Sequence, residues 1–553
     1  MQPLDAGLLG LKGMVLHQQG QQEDAKVLID HGLTINPRDP RLHNYLAQVQ
    51  DALGDSFGAE LSFIQAVRLD PHYLEAWWNA GKSMLKHHRA KEAIHALSQA
   101  YRLAPNDGEI ILDLVEAHFL ARDLTKAVSL LGKASRLGYA PEAVRAWLGA
   151  VLQGLGRDEE AKNCALVPGL NSDLECQRAA EAMHKIGRAE LHLGNLESAE
   201  HWLNEAITIN PDVAGLYADL VATRKFTDSD ESLLVKMKQL LSDSPQGEHR
   251  ELEFALGKAY ADIGQHDLSF SHYLAGNDLV RSKVHFDASA HHEYISQLVE
   301  IFSRERLQEL PMGSDSNIPI LIVGTPRSGT TLTESIISSH SEIAGAGEME
   351  FWSRVKPHWS KVFPKAYTKE LAVRLAHEYL MFMRNHSTTA ARITDKMPGN
   401  FMHLGIIHSV LPKAKLIHIK RHPIDACLSI YFQNFPNGHS YKWDLESLAF
   451  WYEQYQRIMA HWRSILPADT LFEFWYEDLV EDTEGVSRQV MEFLGLEWEP
   501  GQLDYHKKER AIFTASKWQV RQPIYKSSKE RWRKFEKHLG PLLPLLKYSR
   551  EGA

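Results

Sequence analysis

The 553-residue chain is 44% hydrophobic and 24% charged, proportions that exclude a disordered or fibrous protein and leave length for two or three folded domains. No stretch of eighteen apolar residues occurs, and the opening MQPLDAGLLGLKGMVLHQQG lacks a basic leader and a small-residue cleavage site. The expectation is a cytoplasmic protein with no membrane span. Net charge is −10, unevenly spread: residues 1–317 hold 30 Lys+Arg against 45 Asp+Glu, whereas residues 318–553 hold 31 against 26.

Beyond Gly501 the imbalance sharpens to 13 Lys+Arg against 5 Asp+Glu, a local field suited to an anionic ligand. These basic residues fall into no nucleic-acid motif, so nucleic acid is not an expected partner. Cys164, Cys176 and Cys427 are too scattered for a disulfide framework or a thiolate metal site. The 29 histidines include the neighbours His291 and His292 but no HExxH pattern, and no metal is expected.

In chain order, a repeat comes first. Ala25, Ala59, Ala93, Ala127 and Ala161 are each 34 residues apart; Gly20, Gly54 and Gly156 precede their alanines by five, with His88 and Arg122 in the intervening places. Pro37, Pro71 and Pro105 follow by twelve. Small residues let two antiparallel helices touch, and the proline sets the turn into the next unit, so each period predicts a helical hairpin. GNLESAEHWLNEAITINPD repeats the pattern after a four-residue slip, and GKAYADIGQHDLSFSHYLAGN is a degenerate last copy. Trp77, Gly81, Ala93 and Pro105 fill the places of the tetratricopeptide pattern. Residues 1–305 thus resemble the tetratricopeptide-repeat family, which implies an all-α solenoid that binds peptides or partner proteins. A spacer or a homodimer surface is the alternative use.

The polar stretch 306–317 reads as a linker, and residues 318–553 as a second domain. IPILIVG, ending at Gly324, predicts a buried parallel strand; TPRSG follows as a loop, then TTLTESIISSH as a helix. Strand, glycine-bounded loop and helix form a phosphate cradle of amides and a positive helix end. Gly324 and Gly329 have Walker spacing, but Thr330 stands where the lysine belongs and Arg327 supplies the cation three residues earlier. A nucleoside triphosphatase would lack the lysine for its β- and γ-phosphates.

TPRSGTT resembles the 5'-phosphosulfate loop of sulfotransferases, most closely those acting on protein tyrosine and the bacterial forms with repeats. Three further stretches match in the family's order. AKLIHIKRHPIDACLSIYFQNF gives a strand, then Arg421 and, eight residues on, Ser429, similar to the site for a 3'-phosphate. TLFEFWYEDLV offers Tyr476 where the family has an adenosine-side tyrosine, and SKWQVRQPIYKSSKERW resembles the closing loop, with Trp532 as landmark. The resemblance implies an α/β P-loop-like domain with a central parallel sheet and 3'-phosphoadenylyl sulfate as co-substrate. The residues it implies for that donor are Arg327, Ser328, Gly329, Thr330, Thr331, Arg421, Ser429, Tyr476, Arg521, Tyr525, Lys526, Ser527 and Arg531.

Sulfuryl transfer needs an oriented acceptor, a base for its proton and cations for the charge on the leaving oxygen. Arg327 and Lys396, the latter in ITDKMPGN, are the catalytic cations that the resemblance implies. The histidine used by small-molecule sulfotransferases is missing, since no Lys-Thr-His tripeptide occurs. Glu348, 21 residues after Arg327 in GAGEMEFW, takes the base position of the tyrosine-directed branch; Asp395 is its rival. Glu350 and Gln433 stand where that branch has arginines, which disfavours an acidic peptide acceptor. The acceptor is left as a hydroxyl or a phenol, protein tyrosine among them. The alternative function is an inactive repeat scaffold with a vestigial nucleotide-binding domain.

Overall fold

Each repeat turns where a residue adopts the left-handed conformation that glycine tolerates. Gly20, Gly54 and Gly156 have φ of 78°, 79° and 72°, and Arg122, in the same register, takes 61°; the repeat keeps its turn where it has lost its glycine, at a cost of about 1 kcal/mol. The computed structural model of the chain describes residues 5–87, 89–156, 161, 172–243, 250–349, 351–353, 367–435, 439–507 and 529–550. It divides into two compact units, one built on Met1–Lys225, the other on Phe226–Asn434 and His439–Ala553. That division lies upstream of the 306–317 stretch.

The first unit is a row of helical hairpins: Ala6–Gln18 with Gln22–Ile35, Pro40–Leu53 with Ser56–Leu69, Leu74–Lys86 with Ala90–Leu103, and Gly108–Leu120 with Leu124–Arg136. After Pro141–Gly154, the helices Asp173–Leu193 and Leu196–Ile209 make a further hairpin. The 34-spaced alanines Ala25, Ala59, Ala93 and Ala127 are wholly buried, because a larger side chain would push the paired helices apart. Gly81 shows how close they run: a Cβ there would lie 2.5 Å from Leu97. Polar side chains bridge successive repeats at a spacing of 35 residues: Asn79 donates to Asn44 at 3.3 Å, the Trp78 indole to Asp113 at 2.7 Å, and His184 meets Asp219 at 2.8 Å. A hydrophobic effect alone has no direction, so such bonds help fix the stacking register.

The second unit begins with helices, among them Arg250–Asp262 and His266–Arg281, the hairpin of the degenerate repeat. The 306–317 stretch packs rather than dangles: Gly313 and Ser314 donate backbone N–H to Ser409 and Val410 carbonyls at 3.3 and 2.9 Å. A parallel sheet follows, of β1 (Pro319–Gly324), β2 (Ile343–Gly345), β3 (Arg392–Asp395), β4 (Lys415–Lys420) and β5 (Leu471–Trp475), in the order β2-β3-β1-β4-β5. β1 is central and every residue of it is buried, as its unbroken apolar run requires of a parallel strand covered on both faces. Its register sets Leu321 opposite Asp395 of β3 and Leu416 of β4. Ile320 and Ile322 pack with Ile336, Ile337, Ile417, Ile419 and Phe474 in one core.

Within this unit Lys442 is fully buried. Its Nζ donates to the Gln433 carbonyl at 2.6 Å and to Asn277 Oδ1 at 3.3 Å, and lies 3.6 Å from the centre of the Trp443 ring. Burial, with Arg250 adding repulsion, pulls its pKa down to about 6; the neighbouring His439 is likewise lowered to about 4 by burial and then by Lys442. In the unfolded chain the lysine titrates at about 10.4, so from about pH 6 upward the unfolded state binds the extra proton and stability rises with pH. Urea melts of wild type and Lys442→Met should therefore show wild type gaining on the variant from about pH 6 to about pH 9, with a level difference below that window. A difference independent of pH would contradict a neutral buried amine.

Candidate active site

In a parallel α/β sheet the strand carboxyl ends share one edge, and ligands bind in the crevice there. Each of the five strands delivers one residue of interest just beyond that end. Arg327 follows β1, Glu348 follows β2, Lys396 follows β3 directly, Arg421 follows β4 directly and Tyr476 follows β5 directly. Residues far apart in the chain are thus gathered by topology.

The loop after β1 turns on Arg327, whose φ of 68° is left-handed without being glycine, a conformation that costs about 1–3 kcal/mol and is held by its surroundings. Two contacts hold it. Its carbonyl accepts from Arg421 Nη1 at 2.5 Å, and its Nε donates to Ser429 Oγ at 3.2 Å. Arg421 also lies over the Tyr476 ring, 4.9 Å from its centre. Arg327, Arg421, Ser429 and Tyr476, chosen from separate motifs, therefore form one cluster.

Thr330–Ile337 is the helix that opens from the loop; its N-cap is Gly329, at φ 99°, with no side chain capping the first turn. Thr330 and Thr331 begin the helix, both buried. The Ser328 hydroxyl is wholly buried and has no hydrogen-bond partner among the described residues. A free buried hydroxyl beside an uncapped helix start fits an anion such as a 5'-phosphosulfate group. Gly329 leaves no room for a side chain, since a Cβ would lie 2.5 Å from Tyr476 Cδ2.

The second cluster is a pair. Lys396 is 0% exposed and its Nζ lies 2.5 Å from Glu348 Oε1, whose side chain is 39% exposed. Strand register brings them together: Gly345 faces Thr394, the Ala346 N–H donates to the Thr394 carbonyl, and the Lys396 N–H donates to the Gly347 carbonyl at 2.8 Å. Asp395, the rival base, is fully buried and turned away into the fold, accepting from the Tyr379 hydroxyl at 2.7 Å and from Asn400 Nδ2 at 3.1 Å. Burial pushes its carboxyl up to about 7, against the lowering effect of the Tyr379 bond.

The closing segment is described only from Lys529. Arg521, Tyr525, Lys526, Ser527 and the altered position Glu350 lie outside the described residues. Arg531 has its guanidinium over the rings of Phe432 and Phe535, at 5.4 and 5.9 Å. Asp425, which the sequence reading missed, clasps this segment by accepting the N–H groups of Glu530 and Trp532, both at 2.9 Å. Its signal was faint: one acid in the first turn of Pro423–Tyr431, four residues before Ser429. Glu334 was missed too. Among the described residues no group of three or more His, Cys, Asp and Glu could hold a metal ion, and no helix is long and apolar enough to cross a membrane.

Residues 319–500 match the family model described as Sulfotransferase family, and tetratricopeptide-repeat models match residues 44–108, 84–140 and 180–213. The chain carries a sulfotransferase-family domain preceded by tetratricopeptide repeats. It is 33% identical over 372 residues to an uncharacterized protein of Aquifex aeolicus (strain VF5), covering 64% of this chain and 48% of that one. Similarity at 23% identity extends over 192 residues of protein-tyrosine sulfotransferase A of Caenorhabditis elegans, 32% of this chain and 50% of that protein. The chain thus spans half or less of the length of these two relatives. The sulfotransferase domain of the Synechococcus PCC 7002 olefin synthase, a solved structure, aligns at 20% identity and TM-score 0.30 over 40% of this chain and 88% of its own.

Because Gly329 combines a positive φ with the Tyr476 contact, Gly329→Ala should lose about 1–3 kcal/mol of stability in denaturant melts. A wild-type melting curve would show that the loop is free to rearrange.

Proposed function

We propose that this chain is a sulfotransferase that moves a sulfuryl group from 3'-phosphoadenylyl sulfate to a hydroxyl or phenol, with the repeat unit recruiting the acceptor or a partner protein. What supports a sulfate donor is the convergence of Arg327, Arg421, Ser429 and Tyr476 at one phosphate-type loop whose Ser328 hydroxyl has no partner among the described residues. Bound there, 3'-phosphoadenylyl sulfate supplies an activated sulfuryl group for in-line transfer to oxygen.

The chain's own residues divide the remaining work. Amides and hydroxyls of Ser328 to Thr331 hold the 5' side, Arg421 and Ser429 the 3'-phosphate, and Tyr476 the adenosine side. Arg521, Tyr525, Lys526, Ser527 and Arg531 are the further donor contacts that the resemblance implies. Arg327 and Lys396 place positive charge where the leaving oxygen gains negative charge. Glu348 accepts the proton of the acceptor hydroxyl from a partly exposed position that an acceptor can reach. Its present bond to Lys396 makes base and cation a matched pair, oriented before any ligand arrives. Glu350 and Gln433 favour an acceptor other than a strongly acidic tyrosine peptide, although the Caenorhabditis elegans relative is named for protein tyrosine.

Titration calorimetry with 3'-phosphoadenosine 5'-phosphate checks the donor: binding without added magnesium is expected, weakened about tenfold or more in Arg421→Ala with Ser429→Ala. No binding, or undiminished binding in the double variant, would overturn it. Glu348→Gln should keep nucleotide affinity yet lose about 100-fold or more in turnover of the sulfate donor. Equal turnover in variant and wild type would remove Glu348 as the base, and no turnover in either would favour a scaffold.

A further inference from the structure

Glu334 is an acid where the fold has little reason to place one. It lies on the Thr330–Ile337 helix, in which seven of eight residues are buried, and is itself 5% exposed. A buried carboxylate is costly unless hydrogen bonds replace its water. The bonds it makes are informative. Its Oε1 accepts from the Gly347 N–H at 2.9 Å and from the Thr394 hydroxyl at 2.7 Å. Gly347 immediately precedes Glu348, and Thr394 stands two residues before Lys396. The Thr394 hydroxyl in turn lies 3.3 Å from the Ala346 N–H.

We propose that Glu334 is a positioning residue for sulfuryl transfer, in which one carboxylate oxygen ties the helix that opens the phosphate loop to the two segments bearing the base and the catalytic cation. The role rests on the function proposed above. Gly347 takes a left-handed φ of 72° with no neighbour within 4 Å of where its Cβ would sit. The Glu334 bond to its amide braces that turn on one side and the Lys396 N–H bond to its carbonyl on the other. The consequence is mechanical coupling: an anion that settles the Ser328 to Thr331 loop also settles Glu348 and Lys396. Without the tie, the donor is still bound at one cluster while the reacting pair at the other is misaligned. Sub-ångström errors of this kind weaken turnover more than binding.

The test uses the full chain and three variants. Hydrogen exchange, which needs no ligand, should show the Gly347 amide exchanging about tenfold or more faster in Glu334→Ala, with Glu334→Gln near wild type because it keeps an acceptor oxygen. In calorimetry, affinity of Glu334→Ala for 3'-phosphoadenosine 5'-phosphate should stay within about twofold of wild type. Turnover of 3'-phosphoadenylyl sulfate with a simple phenol should fall about 30-fold or more in kcat at unchanged KM, and Gln should restore most of it. If Glu334→Ala does not fold, Thr394→Val removes one of the two bonds at constant shape and should lose about tenfold in kcat. The proposal is overturned by unchanged Gly347 exchange, by parallel losses of kcat and nucleotide affinity, or by a Gln variant no better than Ala. Wild type that neither binds the nucleotide nor turns over the donor would defeat the sulfate-donor reading, whereas the exchange result would still decide the Glu334 tie.

Discussion

An ammonium group taken wholly out of water must be met by a charge or by hydrogen bonds, and Lys396 meets that requirement through Glu348 at 2.5 Å. Much of the second unit's architecture serves this one bond. β3 delivers the lysine immediately after its last residue, Asp395, and β2, only three residues long, runs parallel to it so that the chain beyond brings the glutamate alongside. The two backbone bonds between these segments set the separation, and the Glu334 carboxylate secures both to the adjacent helix. A long flexible lysine on a surface would pay rotamer entropy to reach the same geometry; here the surroundings have already fixed it.

A second constraint is backbone conformation at Arg327. Its left-handed φ turns the carbonyl towards Arg421 and the side chain towards Ser429. The cation that replaces the Walker lysine is therefore part of the loop's own bracing rather than a side chain reaching in from the helix. Asp425 holds Glu530 and Trp532 within the C-terminal basic region, with Trp532 stacked on His422 at 5.6 Å between ring centres. Positive side chains thus stand at rigid strand ends and in a segment anchored by Asp425, an arrangement suited to a ligand with separated anionic groups.

The sequence carried the parts of this fold that repeat or that are strongly apolar. Five alanines in register reported the helical hairpins, since close helix contact tolerates only small residues there, and even the Arg122 turn could be placed by register alone. β1, β4 and β5 were legible as short apolar or alternating runs, and the glycines around Arg327 marked the loop. β2 was not legible, because three residues, Ile343–Gly345, are too few to express a period. The division at Lys225 was hidden for a related reason: the degenerate repeat at 250–281 keeps the hairpin pattern of the first half while packing within the second unit. Pattern records local structure, whereas the burying partner is a tertiary fact.

Within the site, Arg327, Arg421, Ser429, Tyr476, Lys396 and Glu348 were named from motifs and the family resemblance they carry, and the structure adds how they group: the first four in one cluster, the last two in an ion pair. Glu334 and Asp425 escaped because their partners are backbone amides 13 and more than 100 residues away, and a sequence does not display amides. The most direct measurement is a crystal structure of the chain with 3'-phosphoadenosine 5'-phosphate. The expected map places the 5'-phosphate on the Ser328 to Thr331 amides and the 3'-phosphate between Arg421 and Ser429, with the Lys396 amine in reach of the 5'-phosphate. Nucleotide bound elsewhere, or bound while the Arg327 to Ser429 hydrogen bond blocks the 3'-phosphate position, would contradict a sulfate-donor site at this loop.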